Sequence, residues 1–262
     1  MLRRATLFFI WHTDILIMKE KRVKAFLIRA VDYGESDKIL SLYSIEEGKI
    51  SARIKGVKKA NSKLRFAAGS FCFGEYILSC SDKGNTVINC TPIELFAPLY
   101  DDIVKTYAGY TVCEFLDRFC EEGEENANLC VTVLKTLKEI AYGEAETVLI
   151  IVWFFINALK LSGYAINFAV CAKCGEHGNV DGFSFRLGSG VCKDCFDDST
   201  KALTPAESNI LRILTKSDTD ILKNMKFENK DVNDSLRLIK QYVEYLYSKK
   251  ADAFEQFIKI IG

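Results

Sequence analysis

Residues 23–55 read VKAFLIRAVDYGESDKILSLYSIEEGKISARIK, and this stretch decides the fold of the first part of the chain. Three runs rich in β-branched and aromatic residues are separated by turn residues around Gly34 and Gly48, which is the pattern of consecutive strands. The third run is the clearest, because apolar residues at 50, 52 and 54 alternate with lysine, serine and arginine. Such alternation predicts a strand with an apolar side facing inward and a basic side facing outward.

Two more strand-like runs follow, FCFGEYILSC at 71–80 and NTVINCTPI at 85–93, with turn residues at 81–84 between them. Five short strands within roughly 75 residues predict a small closed barrel. Pro92 and Pro98 mark the exit from it, because proline has no N–H to donate to a central ladder.

The second part of the chain has helical periodicity from residue 101 onward. Thr204-Pro205-Ala206-Glu207 is typical of a capping box with proline at the first helical position. The run VLIIVWFFI is apolar on every side but far shorter than the about 20 residues that span a bilayer, so we predict a buried bundle helix. The predicted helices cover 101–119, 126–142, about 145–161, 205–215 and a last long helix from about 231.

Charge is distributed unevenly along the 262 residues, although 35 basic residues balance 35 acidic ones. Residues 1–96 carry 16 Lys or Arg against 10 Asp or Glu, whereas the remainder carries 19 against 25. Residues 49–65 contain seven basic residues and no acidic residue. This block is a candidate binding surface for a polyanion, while the balanced total excludes a generic polycation.

The first residues imitate a signal peptide, since Arg3 and Arg4 precede the apolar run 7–11. Residues 12–14 interrupt that run and no small-residue cleavage site follows. We expect residues 1–18 to be a non-native or disordered extension that begins at an upstream start codon, with an ordered cap and a membrane signal as alternatives. The ten cysteines then indicate a reduced, intracellular protein, because a chain of this length does not need disulfides.

Four cysteines carry the strongest chemical signal in the sequence. They form two C-x2-C pairs with seventeen residues between them, a spacing typical of four-thiolate zinc sites. Four thiolates complete a tetrahedral shell and leave no position for a reacting water. We therefore predict one structural Zn²⁺ in a knuckle, with a thioredoxin-like redox pair as the alternative. The ligands are Cys171, Cys174, Cys192 and Cys195.

The remaining cysteines and the nearby histidine receive simpler interpretations. His177 could replace one ligand, but its glycine neighbour favours a surface loop. The other six cysteines, at 72, 80, 90, 113, 120 and 130, fall in apolar patterns and are predicted to be small buried hydrophobic residues.

The basic block continues beyond the third strand with the segment Lys55-Gly56-Val57-Lys58-Lys59. Glycine allows close backbone approach and the ammonium groups can neutralise phosphates, whereas the alternative is an ordinary solvated surface. Tyr33, Tyr43, Phe66 and Phe71 could stack on bases, although each taken alone fits a core position equally well. The candidate nucleic-acid contacts are Lys49, Arg53, Lys55, Lys58, Lys59, Lys63 and Arg65.

Enzyme motifs are missing from the sequence. It contains no Walker loop, no dinucleotide-binding glycine fingerprint, and no HExxH or GxSxG segment. We expect no catalytic centre.

The order of barrel, basic loop, helical bundle and zinc knuckle resembles the RecO family of bacterial recombination mediator proteins over residues 19–262. At two positions the chain departs from the family pattern, with Ile166 in place of a frequent proline and Leu246-Tyr247 in place of a His-Leu-Gly run. The segments that carry the resemblance are Asp32-Tyr33-Gly34-Glu35 with Asp37, Gly48-Lys49-Ile50, Lys55-Gly56-Val57-Lys58-Lys59 with Ser62, Ser162-Gly163-Tyr164 and Gly190-Val191-Cys192.

The resemblance implies an α+β protein with an OB-fold barrel at residues 19–97 and a helical domain at 98–262 that carries a zinc-binding insert at 168–200. It implies a DNA repair mediator of the bacterial cytoplasm and nucleoid that binds single- and double-stranded DNA and anneals strands. With RecR, such a protein helps load RecA onto DNA coated with single-strand-binding protein. The acidic, apolar tail of that protein would bind the helical domain, with Arg118, Lys160 and Arg237 as candidate contacts.

Two other functions remain open at this point. A zinc-knuckle transcription factor or RNA-binding protein would also use a basic barrel. A zinc-dependent hydrolase would require an open coordination position and a positioned general base.

Overall fold

A closed five-stranded barrel forms the first part of the molecule, as the alternating pattern predicts. The structure is a computed structural model that describes residues 19–178 and 180–262. The expectation for residues 1–18 lies outside these residues. The strands are β1 (Lys19–Tyr33), β2 (Asp37–Ser44), β3 (Gly48–Ile54), β4 (Phe73–Ser81) and β5 (Gly84–Glu94).

The strand order β1-β2-β3-β5-β4 closes the sheet on itself. Neighbouring strands are antiparallel except β3 and β5, which pair in parallel through Ala52–Ile54 and 85–87. A five-stranded barrel of this order is an OB fold. The barrel is filled by its own side chains, since Leu40, Ile54, Tyr76 and Leu78 are all 0% exposed.

Helices make up most of the second part, which confirms the α+β class. α3 is buried on every side, in agreement with its continuous apolar run, and its residues from Leu149 to Ile156 are at most 4% exposed. Among the described helices, none combines the length and the apolar character needed to cross a membrane. The helices are α1 (Ile103–Phe119), α2 (Ala127–Tyr142), α3 (Thr147–Leu161), α4 (Pro205–Leu214), α5 (Asn229–Tyr247) and α6 (Asp252–Ile261).

The helix ends follow the capping signals in the sequence. The Thr204 hydroxyl accepts from the Glu207 N–H, and the Glu207 carboxylate accepts from the Thr204 N–H, so the predicted capping box is present. Asn126 caps α2 by accepting from the Leu129 N–H. Each such cap stabilises a helix by about 1 kcal/mol.

The last helix, α6, is absent from the sequence prediction. It has only ten residues, and the polar residues 248–250 separate it from α5. Phe254 and Phe257 are buried, and Phe254 stacks on Phe155 of α3 at 4.5 Å between ring centroids. Tertiary packing, more than local propensity, therefore stabilises α6.

The cysteine segment between α3 and α4 forms a small antiparallel sheet in the order β7-β6-β8. Phe183 on its central strand lies 4.9 Å from the Tyr242 ring of α5 and 5.7 Å from the Phe168 ring. The sheet is thereby attached to the helical core. Its strands are β6 (Gly182–Ser184), β7 (Ser189–Val191) and β8 (Thr200–Ala202).

One apolar core runs from the barrel into the helical part. Phe26 of β1 stacks on Phe73 of β4 at 4.4 Å and lies 6.4 Å from Phe96 in the connection to α1. These rings belong to the same buried cluster as the side chains of α1, α2 and α3. At the edge of this contact, the Gly123 N–H donates to the Lys49 carbonyl of β3 at 3.3 Å.

Candidate metal centre and basic surface of the barrel

The four cysteines of the predicted knuckle meet at one point. Their sulfur atoms all lie within 4.8 Å of one another, and those of Cys174 and Cys192 are 3.9 Å apart. A tetrahedral zinc site with Zn–S bonds of about 2.3 Å separates its sulfurs by about 3.8 Å. The donor set and the spacing therefore fit a closed four-thiolate zinc site.

The protonation chemistry of this cluster also favours a cation. Burial raises the pKa of Cys171, but backbone N–H donors from Cys174, Cys192 and Lys173 outweigh this effect and lower it to about 6. The adjacent Cys192 thiol raises the pKa of Cys195 to about 12. Four thiolates this close repel one another, so a bound metal ion is needed to hold all four in the ionised form.

His177 and the other six cysteines lie apart from this cluster. His177 is exposed, forms a bridge with Val170, and is not among the described groups that could hold a metal ion. The six cysteines are free thiols that are buried or half-buried, and burial raises the pKa of Cys113 to about 12. This placement agrees with their interpretation as small apolar residues.

The basic loop after β3 is held in place by one carboxylate. Asp37 at the start of β2 accepts from the Gly56 N–H at 2.7 Å and from the Arg53 Nε at 2.8 Å. The Gly56 N–H and the Arg53 guanidinium lower the pKa of Asp37 to about 2. At neutral pH the carboxylate is ionised and anchors both the strand end and the loop.

Three lysines of this loop have no neutralising partner among residues 19–178 and 180–262. Lys55, Lys59 and Lys63 are exposed and form no ion pair with any residue in the described part of the chain. Lys58 binds Asp32 at 2.7 Å, while Arg65 donates to the carbonyl oxygens of residues 59 and 60. The loop thus combines a fixed backbone with free cationic groups.

Three other basic residues of the barrel are paired with carboxylates. Lys49 and Arg29 both bind the Asp117 carboxylate of α1, at 3.4 and 3.3 Å. Lys21 pairs with Glu47. Within the basic block 49–65, the side chains that form no ion pair with a described residue therefore lie on the surface of residues 55–65. Elsewhere on the barrel, Lys19, Lys24 and Lys83 are also exposed and form no ion pair with a described residue. The predicted contact Lys49 lies outside this surface and faces the helical part.

The aromatic candidates divide into core and surface. Tyr43 and Phe71 are at most 1% exposed, and Phe66 packs against the barrel core. Tyr33 is 51% exposed, and the Arg53 guanidinium carbon lies 4.8 Å from its ring centroid. Of the four, Tyr33 is therefore accessible to a ligand.

The three candidate partner contacts lie in different environments. Arg118 binds Glu114 and Asp252, and Arg237 binds Asp234 and the Gly262 carbonyl oxygen. Lys160 is exposed and forms no ion pair within the described residues. It lines a cavity of about 440 Å³ between α2, α3 and the end of α4.

This cavity combines cationic and apolar groups. Lys135 and Lys216 line it with Lys160, together with the acidic Asp218. Val131 provides exposed apolar surface, and the largely buried Trp153 forms part of the wall. Lys135 binds Asp218 at 3.3 Å, whereas Lys216 has no ion-pair partner in the described chain. Sequence reasoning missed the other residues around Lys160, because they come from separate helices and share no motif.

These features define an OB-fold protein with a helical domain and a four-cysteine knuckle. Residues 18–97 match the family model described as Recombination protein O N terminal, and residues 100–252 match Recombination protein O C terminal. The chain belongs to the RecO family of DNA repair proteins.

Similar proteins cover nearly the whole chain. The DNA repair protein RecO of Desulforamulus reducens is 30% identical over 91% of this chain and 94% of its own length. The DNA repair protein RecO of Clostridium perfringens is 30% identical over 89% of this chain and 96% of its own length. The DNA repair protein RecO of Bacillus pumilus is 28% identical over 91% of this chain and 96% of its own length.

Proposed function

We propose that this protein is a recombination mediator that binds single- and double-stranded DNA, anneals complementary strands and, with RecR, loads RecA onto DNA coated with single-strand-binding protein. It acts in the bacterial cytoplasm, at the nucleoid, and without an active site of its own. The observation that carries the proposal is the fixed loop with three unpaired lysines at one end of an OB barrel. Family membership supports the DNA repair context.

The proposed DNA contacts are the cationic residues around this loop. Lys55, Lys59 and Lys63 contact phosphate directly, since no acidic side chain of the described residues pairs with them. Lys58, Arg53 and Arg65 lie at the same end and support the same surface. Release of counterions from the DNA then makes binding strongly salt-dependent.

The first test is charge reversal in the loop. We expect Lys55→Glu with Lys59→Glu to weaken binding to a labelled single-stranded oligonucleotide at least about tenfold at low salt. Each lost phosphate contact should flatten the slope of log affinity against log salt by about 0.7. Fluorescence polarisation across a salt series measures both quantities.

The control is Lys226→Glu with Lys230→Glu, which gives the same net charge on exposed residues of the helical part that form no ion pair within the described chain. Equal losses in both variants would show that total charge, and not the loop, governs binding. A matched RNA strand that displaces the DNA at lower concentration would favour the RNA-binding alternative.

The metal in the knuckle is proposed to be one structural zinc ion held by Cys171, Cys174, Cys192 and Cys195. A closed four-thiolate shell leaves no position for substrate or reacting water, which argues against hydrolase chemistry at this site.

The Lys160 cavity is the proposed site for the acidic, apolar tail of single-strand-binding protein. Its lysines match the acidic groups of such a tail, and Val131 with the small accessible part of Trp153 matches the apolar groups. We expect Lys160→Glu to weaken binding of a synthetic peptide of that tail about tenfold in an anisotropy titration, while the control Lys259→Glu on α6 leaves it unchanged. Equal affinity of the Lys160 variant and the wild type would exclude this cavity.

A further inference from the structure

Tyr33 is an exposed aromatic residue at the edge of the basic surface. It ends β1, immediately before the turn to β2, and is 51% exposed. The turn between the first two strands, together with the outer face of strands 2 and 3, is where OB folds bind oligonucleotides. The position of this ring therefore connects it to the proposed DNA surface.

One face of the ring is already occupied by a cation. The Arg53 guanidinium carbon lies 4.8 Å from the ring centroid. Arginine stacks on aromatic faces through its planar, delocalised guanidinium. Because Arg53 covers one face of the ring, ligand binding is left to the opposite face.

The arginine is itself fixed. Its Nε and Nη2 atoms both donate to Asp37, which also accepts from the Ser36 hydroxyl at 3.0 Å and the Gly56 N–H at 2.7 Å. The Asp37 carboxylate thus positions both the Arg53 side chain, which stacks on the ring, and the start of the lysine loop. A side chain held in this way loses little rotamer freedom when a ligand binds.

The strand register places a mixed row and then a pair of serines beside the ring. Val31, Ile39 and Arg53 are aligned across β1, β2 and β3, and the next outward row consists of Arg29, Ser41 and Ser51. The serine side chains are short, so an extended strand can lie across these rows with one base against the ring.

We infer that Tyr33 is a stacking platform for an unpaired nucleobase, and that it gives the barrel a preference for single-stranded over double-stranded DNA. The inference rests on the proposed DNA-binding function. Bases in a duplex have both faces covered by their neighbours, whereas a single strand can offer one face to an aromatic ring. The lysines serve both forms of DNA, and Tyr33 discriminates between them.

The test uses three labelled probes of equal length: oligothymidylate, the same backbone with abasic sites, and a duplex. Tyr33→Ala is expected to weaken binding of oligothymidylate about tenfold, equal to about 1.4 kcal/mol, with an unchanged salt slope because no charge is removed. Binding to the abasic strand and to the duplex should change less than twofold. Tyr33→Phe keeps the ring and should bind like the wild type.

The matched control is Tyr245→Ala, which removes a tyrosine of 54% exposure from α5. Melting curves establish that each variant is folded. Equal losses on all three probes, or no loss with Tyr33→Ala, would overturn the stacking platform while the loop-lysine result stands. Failure of the wild type to bind any probe would overturn the proposed function itself.

Discussion

Replacing Cys174 by serine is expected to lower the melting temperature by about 8–16 °C and to abolish binding of the metal proposed for the knuckle. Zinc binding contributes about 10–16 kcal/mol to the folding of small four-ligand modules. Each kcal/mol of lost stability lowers the melting temperature of a chain of this size by about 2–4 °C. A loss of only about 4 kcal/mol therefore gives the expected decrease. The physical cause is the loss of one of four thiolates that lie within 4.8 Å of each other.

The effect should extend beyond the knuckle. Phe168 and Phe183 are at most 1% exposed and are part of the helical core, next to Tyr242 of α5. We therefore expect the near-ultraviolet circular dichroism of these rings to weaken in the variant, while most of the helical signal persists.

Elemental analysis and thermal melting of reduced protein test this prediction. The wild type should contain about one zinc ion per chain, and a chelator should reproduce the melting temperature of the variant. The matched control, Cys80→Ser, changes a half-buried cysteine of β4 outside the cluster and should retain the metal. Metal-free wild-type protein with dithiol-disulfide exchange activity would favour the redox alternative instead.

Replacing Gly48 by alanine is expected to cost about 2–5 kcal/mol of stability. Gly48 begins β3 with φ of +66°, and an added Cβ would lie 2.0 Å from the Glu124 carbonyl oxygen. The left-handed backbone contributes about 1–2 kcal/mol and the steric overlap about 1–3 kcal/mol. The melting temperature should fall by about 4–20 °C.

Gly34→Ala separates these two contributions. Gly34 has φ of +62°, but an added Cβ would meet no atom within 4 Å. Its loss should therefore be limited to the backbone cost of about 1–2 kcal/mol. If both variants melt at the same temperature, the overlap of the added Cβ with Glu124 has no measurable cost, and the steric part of this prediction is wrong.

Local sequence patterns were sufficient for the barrel strands and the cysteine cluster. The alternation of Ile50, Ala52 and Ile54 with polar residues reports burial directly, because side chains in a strand point to opposite faces in turn. The spacing of the two cysteine pairs likewise limits their geometry. The capping box at Thr204 is equally local.

Long-range pairing could not be predicted from the same patterns. The partner of Lys49 is Asp117, which lies 68 positions later in the sequence. Neither residue belongs to a motif that predicts the contact. The stack of Arg53 on Tyr33 depends on the register of three strands and on the Asp37 carboxylate. The cavity at Lys160 similarly depends on how α2, α3 and α4 pack.

The continuous core between barrel and helices has a mechanical consequence. Because Phe26, Phe73 and Phe96 are buried together with the side chains of α1, the barrel cannot swivel without exposing aromatic surface to water. The lysine loop and the Lys160 cavity are thereby held at a fixed distance and in a fixed relative orientation. If the proposed DNA strand and partner tail bind at the same time, any tether between them must be long enough to span that fixed distance.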